Sequence, residues 1–131
     1  MRVVVATLLV FLATSVAADP VKVTQAGDTA YYVDRASVSS NGDLFRVPVI
    51  HDYAKPEPGE VRSRRVLYDV ECARERLRSV SGMEYAEPMA RGKHLNSWQR
   101  ESEWLYVAPQ TGSSLPPRTP YRSIVRFVCS R

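Results

Sequence analysis

The sequence predicts an α+β domain: a mainly antiparallel β-sheet with a short C-terminal helix packed on it and one disulfide. Three observations carry that expectation. Apolar and polar residues alternate from Arg65 to Cys72 and the pattern resumes with Leu77 and Val80, as in a hairpin with one buried face. Asn41-Gly42 stands between two strand-like stretches, and this pair supplies the positive φ that a tight hairpin turn needs. Tyr121, Ile124, Val125 and Val128 recur at i, i+3, i+4 and i+7, which lines up one apolar stripe of a helix.

At the N-terminus, Met1-Arg2 precedes an apolar run from Val3 to Leu12 that only Thr7 interrupts, and Val16-Ala17-Ala18 leads into Asp19-Pro20. A short positive start, an apolar stretch and a small-residue end make a secretory signal, with cleavage expected after Ala18. The run is shorter than the ~20 residues a spanning helix needs, so the mature chain is expected to lack a transmembrane segment. No cysteine stands near the cleavage site to carry a lipid. Residues 19–131 then form a single domain of ordinary size, exported to the periplasm, the cell surface or beyond. The signal holds one charge, Arg2, so its removal lowers the net charge of +4 by one. That mild basicity suits an acidic partner without demanding one.

In the mature chain Val21–Thr24 alternates and Thr29–Val33 is rich in strand formers. Asn41-Gly42 joins Ser37–Ser40 to Leu44–His51. Phe45, Val47, Val49 and His51 share one face of the second arm. Pro48 falls on the other face and lacks an N–H, which predicts a bulge or a sheet edge there. An edge of that kind can pair with a second copy, which leaves room for a homodimer without requiring one. The stretch Lys55-Pro56-Glu57-Pro58-Gly59 is expected to end the strand in a loop.

For the hairpin of Arg62–Tyr85, a turn at residues 72–75 sets Glu71 opposite Arg76, Asp69 opposite Arg78 and Leu67 opposite Val80 on a solvated face. Val70 then meets Leu77 and Tyr68 meets Ser79 on the other. Opposite charges meet twice, each pair worth roughly 0.2–1 kcal/mol. Further on, short strands fit near Lys93–Asn96 and Trp104–Val107. Thr119 is suited to cap the final helix and Pro120 to its first position.

Two cysteines in an exported chain allow one intramolecular pairing, Cys72–Cys129, and an oxidising compartment closes it. A bridge across a loop of that length contributes roughly 4 kcal/mol by chain entropy.

Catalytic motifs are sparse. His51 and His94 lie far apart, no Gly-x-Ser-x-Gly elbow occurs, and neither cysteine nor histidine spacing matches a metal site. Gly92-Lys93 lacks the upstream glycine of a phosphate loop. The chain is therefore read as a non-enzyme with no cofactor, no metal and no nucleic-acid motif. Binding residues are more visible. Arg62, Arg64 and Arg65 gather at the start of one strand, Arg122 and Arg126 stand one helical turn apart, and Trp98 and Trp104 punctuate a loop-rich stretch. Guanidinium groups hold carboxylates, sulfates or phosphates bidentately, and tryptophan and arginine anchor protein interfaces.

Several short runs fall in a familiar order: Tyr31-Tyr32-Val33-Asp34, Phe45-Arg46-Val47, His51-Asp52-Tyr53-Ala54-Lys55-Pro56, Arg62-Ser63 and Tyr68-Asp69-Val70-Glu71-Cys72. Tyr85 with Met89 and Gly92, Trp104 with Pro109, and Val128-Cys129 follow. Together, across residues 21–129, they resemble the bacterial surface-adhesin E family. The resemblance implies an antiparallel sheet, a C-terminal helix and a bridge between the two cysteines. It also implies a protein that attaches to host extracellular-matrix or serum proteins. A periplasmic protein that binds a cell-envelope component is the alternative, because the signal carries no lipidation cysteine.

Overall fold

The computed structural model describes residue 10, residues 19–108 and residues 120–130. The expected signal over residues 1–18, apart from Val10, and the Thr119 cap lie outside the described residues.

Among the described residues eight strands form one antiparallel sheet: β1 (Val21–Ala26), β2 (Thr29–Val33), β3 (Ser39–Asn41), β4 (Leu44–Glu57), β5 (Val61–Glu71), β6 (Arg76–Glu87), β7 (Arg91–Gln99) and β8 (Leu105–Tyr106). The strand order is β1-β2-β4-β5-β6-β7, with β3 joining the free end of β4 and β8 joining β6. A single helix, α1 (Tyr121–Cys129), follows among the described residues. Strand propensity accounts for much of β4 and β5, where Phe45, Val47, Val49 and Tyr53 alternate on the first and Val66, Tyr68 and Val70 on the second.

The Asn41-Gly42 hairpin forms one residue later than expected. Asn41 pairs with Leu44, so Gly42-Asp43 is the connection, and Gly42 takes the positive φ of +60° that the first central residue of a II′ turn requires. The next hairpin keeps four of its five expected partners: Glu71–Arg76, Val70–Leu77, Asp69–Arg78 and Tyr68–Ser79. Leu67, however, meets Ser81, because the register shifts by one residue there and leaves Val80 unpaired. The bulge returns the alternation to the proper face beyond it.

Pro48 does not mark an edge of the sheet. β4 lies inside it, and Pro48 faces Leu67 of β5. On its other side β2 pairs only from Val49 onward and β3 only up to Arg46, so the missing N–H falls in the gap between two neighbours. The edge expected to receive a second copy is therefore absent at that point. Nor does β4 stop at Lys55. It runs to Glu57 through a register shift after Asp52, and the turn follows at Gly59 and Glu60, with φ of 84° and 61°.

Cross-strand partners share a face, which sorts the sheet into two. On the first, Val33, Val47, Val49, Val66, Val70 and Leu77 meet Ile124, Val125 and Val128 of α1 in one buried cluster with Val107. Such clusters are the main stabilising term of a small domain. The stripe read from the sequence is the one that packs. Pro120 precedes the helix at the cap position and offers no side-chain bond to it. The Cys72–Cys129 disulfide, with Cα atoms 5.7 Å apart, ties the helix end to the β5–β6 turn.

Candidate binding faces

Beyond the helix, the first face ends in a polar and aromatic cluster. His51 is buried, its Nε2 3.0 Å from the Tyr68 hydroxyl, and its ring stands edge-on to Tyr31 at 4.7 Å. Loss of water pushes the imidazole down to about 4, with the Arg64 charge a smaller cause, so it is neutral at physiological pH. Burial likewise pushes the Tyr31 phenol up to about 12, and raises Tyr68 further still. The partner of His51 is a phenol, and no serine bonds to it among the described residues. His94 instead contacts the Asn96 carbonyl at 2.9 Å. Among the described residues no three metal-ligating side chains gather.

The three arginines expected to act as one cluster are divided by the strand's own alternation. Arg64 lies on the first face opposite His51, bonded to Glu84 at 2.9 Å and placed over the Tyr53 ring. Arg62 shares that parity, and its buried Nε has no partner among the described residues. Arg65 points the other way and is exposed. The tryptophans separate too. Trp98 pairs with Gly82 across β6 and β7, and its ring occupies the space a Cβ at Gly82 would need. Trp98 packs against the core; of Arg122 and Arg126, only Arg126 is exposed, and Arg122 is half-buried.

The opposite, outer face holds what the sequence reading missed. Asp69 was expected on a solvated surface, yet it is only 2% exposed. Arg46 reaches it at 3.0 Å from one neighbouring strand and Arg78 at 3.4 Å from the other. Arg76 bonds Glu71 at 3.1 Å. The guanidinium groups of Arg76 and Arg78 stack on Trp104 at 4.0 and 4.4 Å, and Arg76 also bonds the Tyr106 hydroxyl. Trp104 is therefore the roof of a charged network. Arg46 was not singled out because it is distant in sequence from both partners; only the β4–β5 register brings it to Asp69.

Along the same face a row crosses four strands: Tyr32 beside Ile50, then Arg65, then Met83. Pro48 and Leu67 form the row next to it. Tyr32, Ile50, Leu67 and Met83 are half-buried, and Arg65 rises exposed among them. The helix lies against the other face. At the far end the β6–β7 turn folds over: the Met89 amide donates to Asp52 at 2.9 Å, and Ser63 accepts from Ala90 at 2.8 Å while donating to the Glu87 carbonyl at 2.6 Å.

The comparisons with known proteins agree with this architecture. The family model for surface-adhesin protein E matches residues 20–130. The chain belongs to the surface-adhesin E family. Among solved structures, crystal form II of Haemophilus influenzae protein E superposes with a TM-score of 0.61 at 20% identity, covering 94% of this chain and 96% of that one. At that identity the likeness speaks for the fold. No curated protein matches the chain. The sheet of this chain thus has a helix-filled face and an outer face that carries arginine and aromatic side chains, and among the described residues no helix is long and apolar enough to cross a membrane.

Proposed function

We propose that this adhesin E protein is an exported, non-enzymatic binding module whose protein ligand docks on the outer sheet face. The observation that supports this reading is the row of half-buried Tyr32, Ile50 and Met83 with Arg65 exposed among them, and half-buried Leu67 in the row beside it. Apolar side chains set among arginines match the make-up of protein interfaces. The helix fills the other face, leaving less of it for a partner. Net basicity favours a ligand with an acidic rim around an apolar centre. In this reading residues 19–131 act as one domain after cleavage behind Ala18, and the ligand is a host matrix or serum protein. The test is solid-phase binding to immobilised laminin and vitronectin. Wild type binds saturably and less well in high salt, while Arg65→Glu loses about tenfold in affinity. Equal binding by the variant would remove the outer face from the mechanism.

One feature of the sequence favours a second reading, a periplasmic protein that engages a cell-envelope component: no cysteine stands near Ala18 to anchor the chain by lipid. Protease treatment of intact cells separates the two, since a periplasmic protein survives it and a displayed one is cut.

A further inference from the structure

Where the helix ends, the fold holds a concave site. A cavity of ≈ 360 Å³ is lined by Arg35, Val38, Phe127 and Val128. This volume lies within the range of small-ligand sites, which combine apolar walls with a few placed polar groups. Here three walls are apolar and the fourth is a guanidinium.

The guanidinium is held in place from both ends. Arg35 opens a one-turn 3-10 helix, Arg35–Ser37, which Asp34 caps by accepting from the Ala36 amide at 3.0 Å and from the Ser37 hydroxyl at 2.8 Å. Its head lies 3.9 Å above the Phe127 ring, and Nη2 donates to the Phe127 carbonyl at 3.2 Å. One nitrogen is thereby engaged while the rest of the fork remains able to donate. No carboxylate within 4 Å pairs with Arg35 among the described residues; the nearest in sequence, Asp34, is committed to its own turn. Two of the carbonyls at the C-terminal end of α1 have donors beside the cavity. The Phe127 carbonyl accepts from Arg35 and from the Ser130 hydroxyl at 3.3 Å, and the Arg126 carbonyl accepts the Ser130 amide. Among the described residues the lining therefore presents one positive group and no negative side chain.

We infer that this cavity binds a small amphipathic monoanion, a carboxylate with a short apolar tail, its head on Arg35 and its tail against Val38, Phe127 and Val128. A planar carboxylate matches the guanidinium fork, and a single arginine suits a single charge. The aliphatic wall excludes a purely polar anion, which would lose its hydration there without compensation.

The probe is octanoate, titrated calorimetrically into the purified protein, with octanol as its uncharged counterpart. Octanoate binds saturably and octanol about tenfold more weakly or worse. Arg35→Gln weakens octanoate by a similar factor and leaves octanol unchanged. Val38→Trp, which fills the cavity, abolishes both. Arg35 is exposed, so Arg35→Gln keeps the test decisive even where Val38→Trp fails to fold. Resonance shifts on adding octanoate fall on Phe127 and Val128. Absence of saturable heat, equal affinity for octanoate and octanol, wild-type binding by Arg35→Gln, or shifts confined to other residues would each overturn the assignment.

Discussion

On the helix-bearing face His51 is buried neutral, with a tyrosine hydroxyl for company, while on the outer face Asp69 is buried beside two guanidinium groups. The same sheet thus handles an ionisable group in two ways. Where a hydrophobic layer excludes water on both sides, a charge has no compensation, and the group gives up its proton to remain neutral. On the outer face guanidinium groups from both adjacent strands reach Asp69, and the long arginine stems themselves exclude water. The difference teaches that what a buried ionisable group meets is set by the strands on either side of it.

The comparison can be tested by removing what maintains each face. The largest effect is expected at the disulfide. Cys72→Ala with Cys129→Ala frees a connection spanning 57 positions and lowers stability by about 4 kcal/mol, read as a drop in the urea midpoint under oxidising conditions. Matching midpoints with and without reductant would contradict this. Next comes acid. The His51 imidazole titrates at about 4 in the folded chain against 6.5 when free in water, so the unfolded chain binds the proton more readily. Stability is fully present above pH 6.5 and falls as pH drops toward 4, by about 3 kcal/mol in all. His51→Phe abolishes that slope, and urea titrations at several pH values measure it. An unchanged slope would assign it to other groups.

The outer face gives a smaller response. Asp69→Ala leaves Arg46 and Arg78 facing each other, at a cost of about 2 kcal/mol. That is below the cost of breaking a fully buried pair, because both arginines are partly solvated. Chemical denaturation measures it; a loss equal to that of the bridge would erase the distinction between the faces. Smallest is the β6–β7 turn. Met89 and Ala90 take φ of 60° and 55°, and an L-residue there costs about 1 kcal/mol. Ala90→Gly should therefore raise stability by up to about 1 kcal/mol. Ser63→Ala, which removes two hydrogen bonds to the turn, should lower it by a similar amount. The pair of thermal melts must shift in opposite directions.

What could be read from the sequence follows the period of the chain. The Glu71–Arg76 and Asp69–Arg78 pairings and the stripe of α1 were legible because alternation and helical spacing are written into neighbouring residues. A bulge has no such period: nothing around Val80 announces the one extra residue. The β6–β7 turn escaped for a related reason. Its left-handed residues are methionine and alanine, held there by Asp52 and Ser63 from distant strands. Arg62, Arg64 and Arg65 looked like one patch because proximity in sequence was counted ahead of the two-residue repeat that sends the last to the opposite side.

The outermost strands each depart from regular pairing. Val23 stands unpaired in β1 between Lys22 and Thr24, and Leu95 does so in β7 between His94 and Asn96; β7 also bears Arg91 and Lys93. Such kinks and charges blunt the margins of a sheet as templates for an incoming strand. The two interrupted borders therefore make end-on growth by identical neighbours costly.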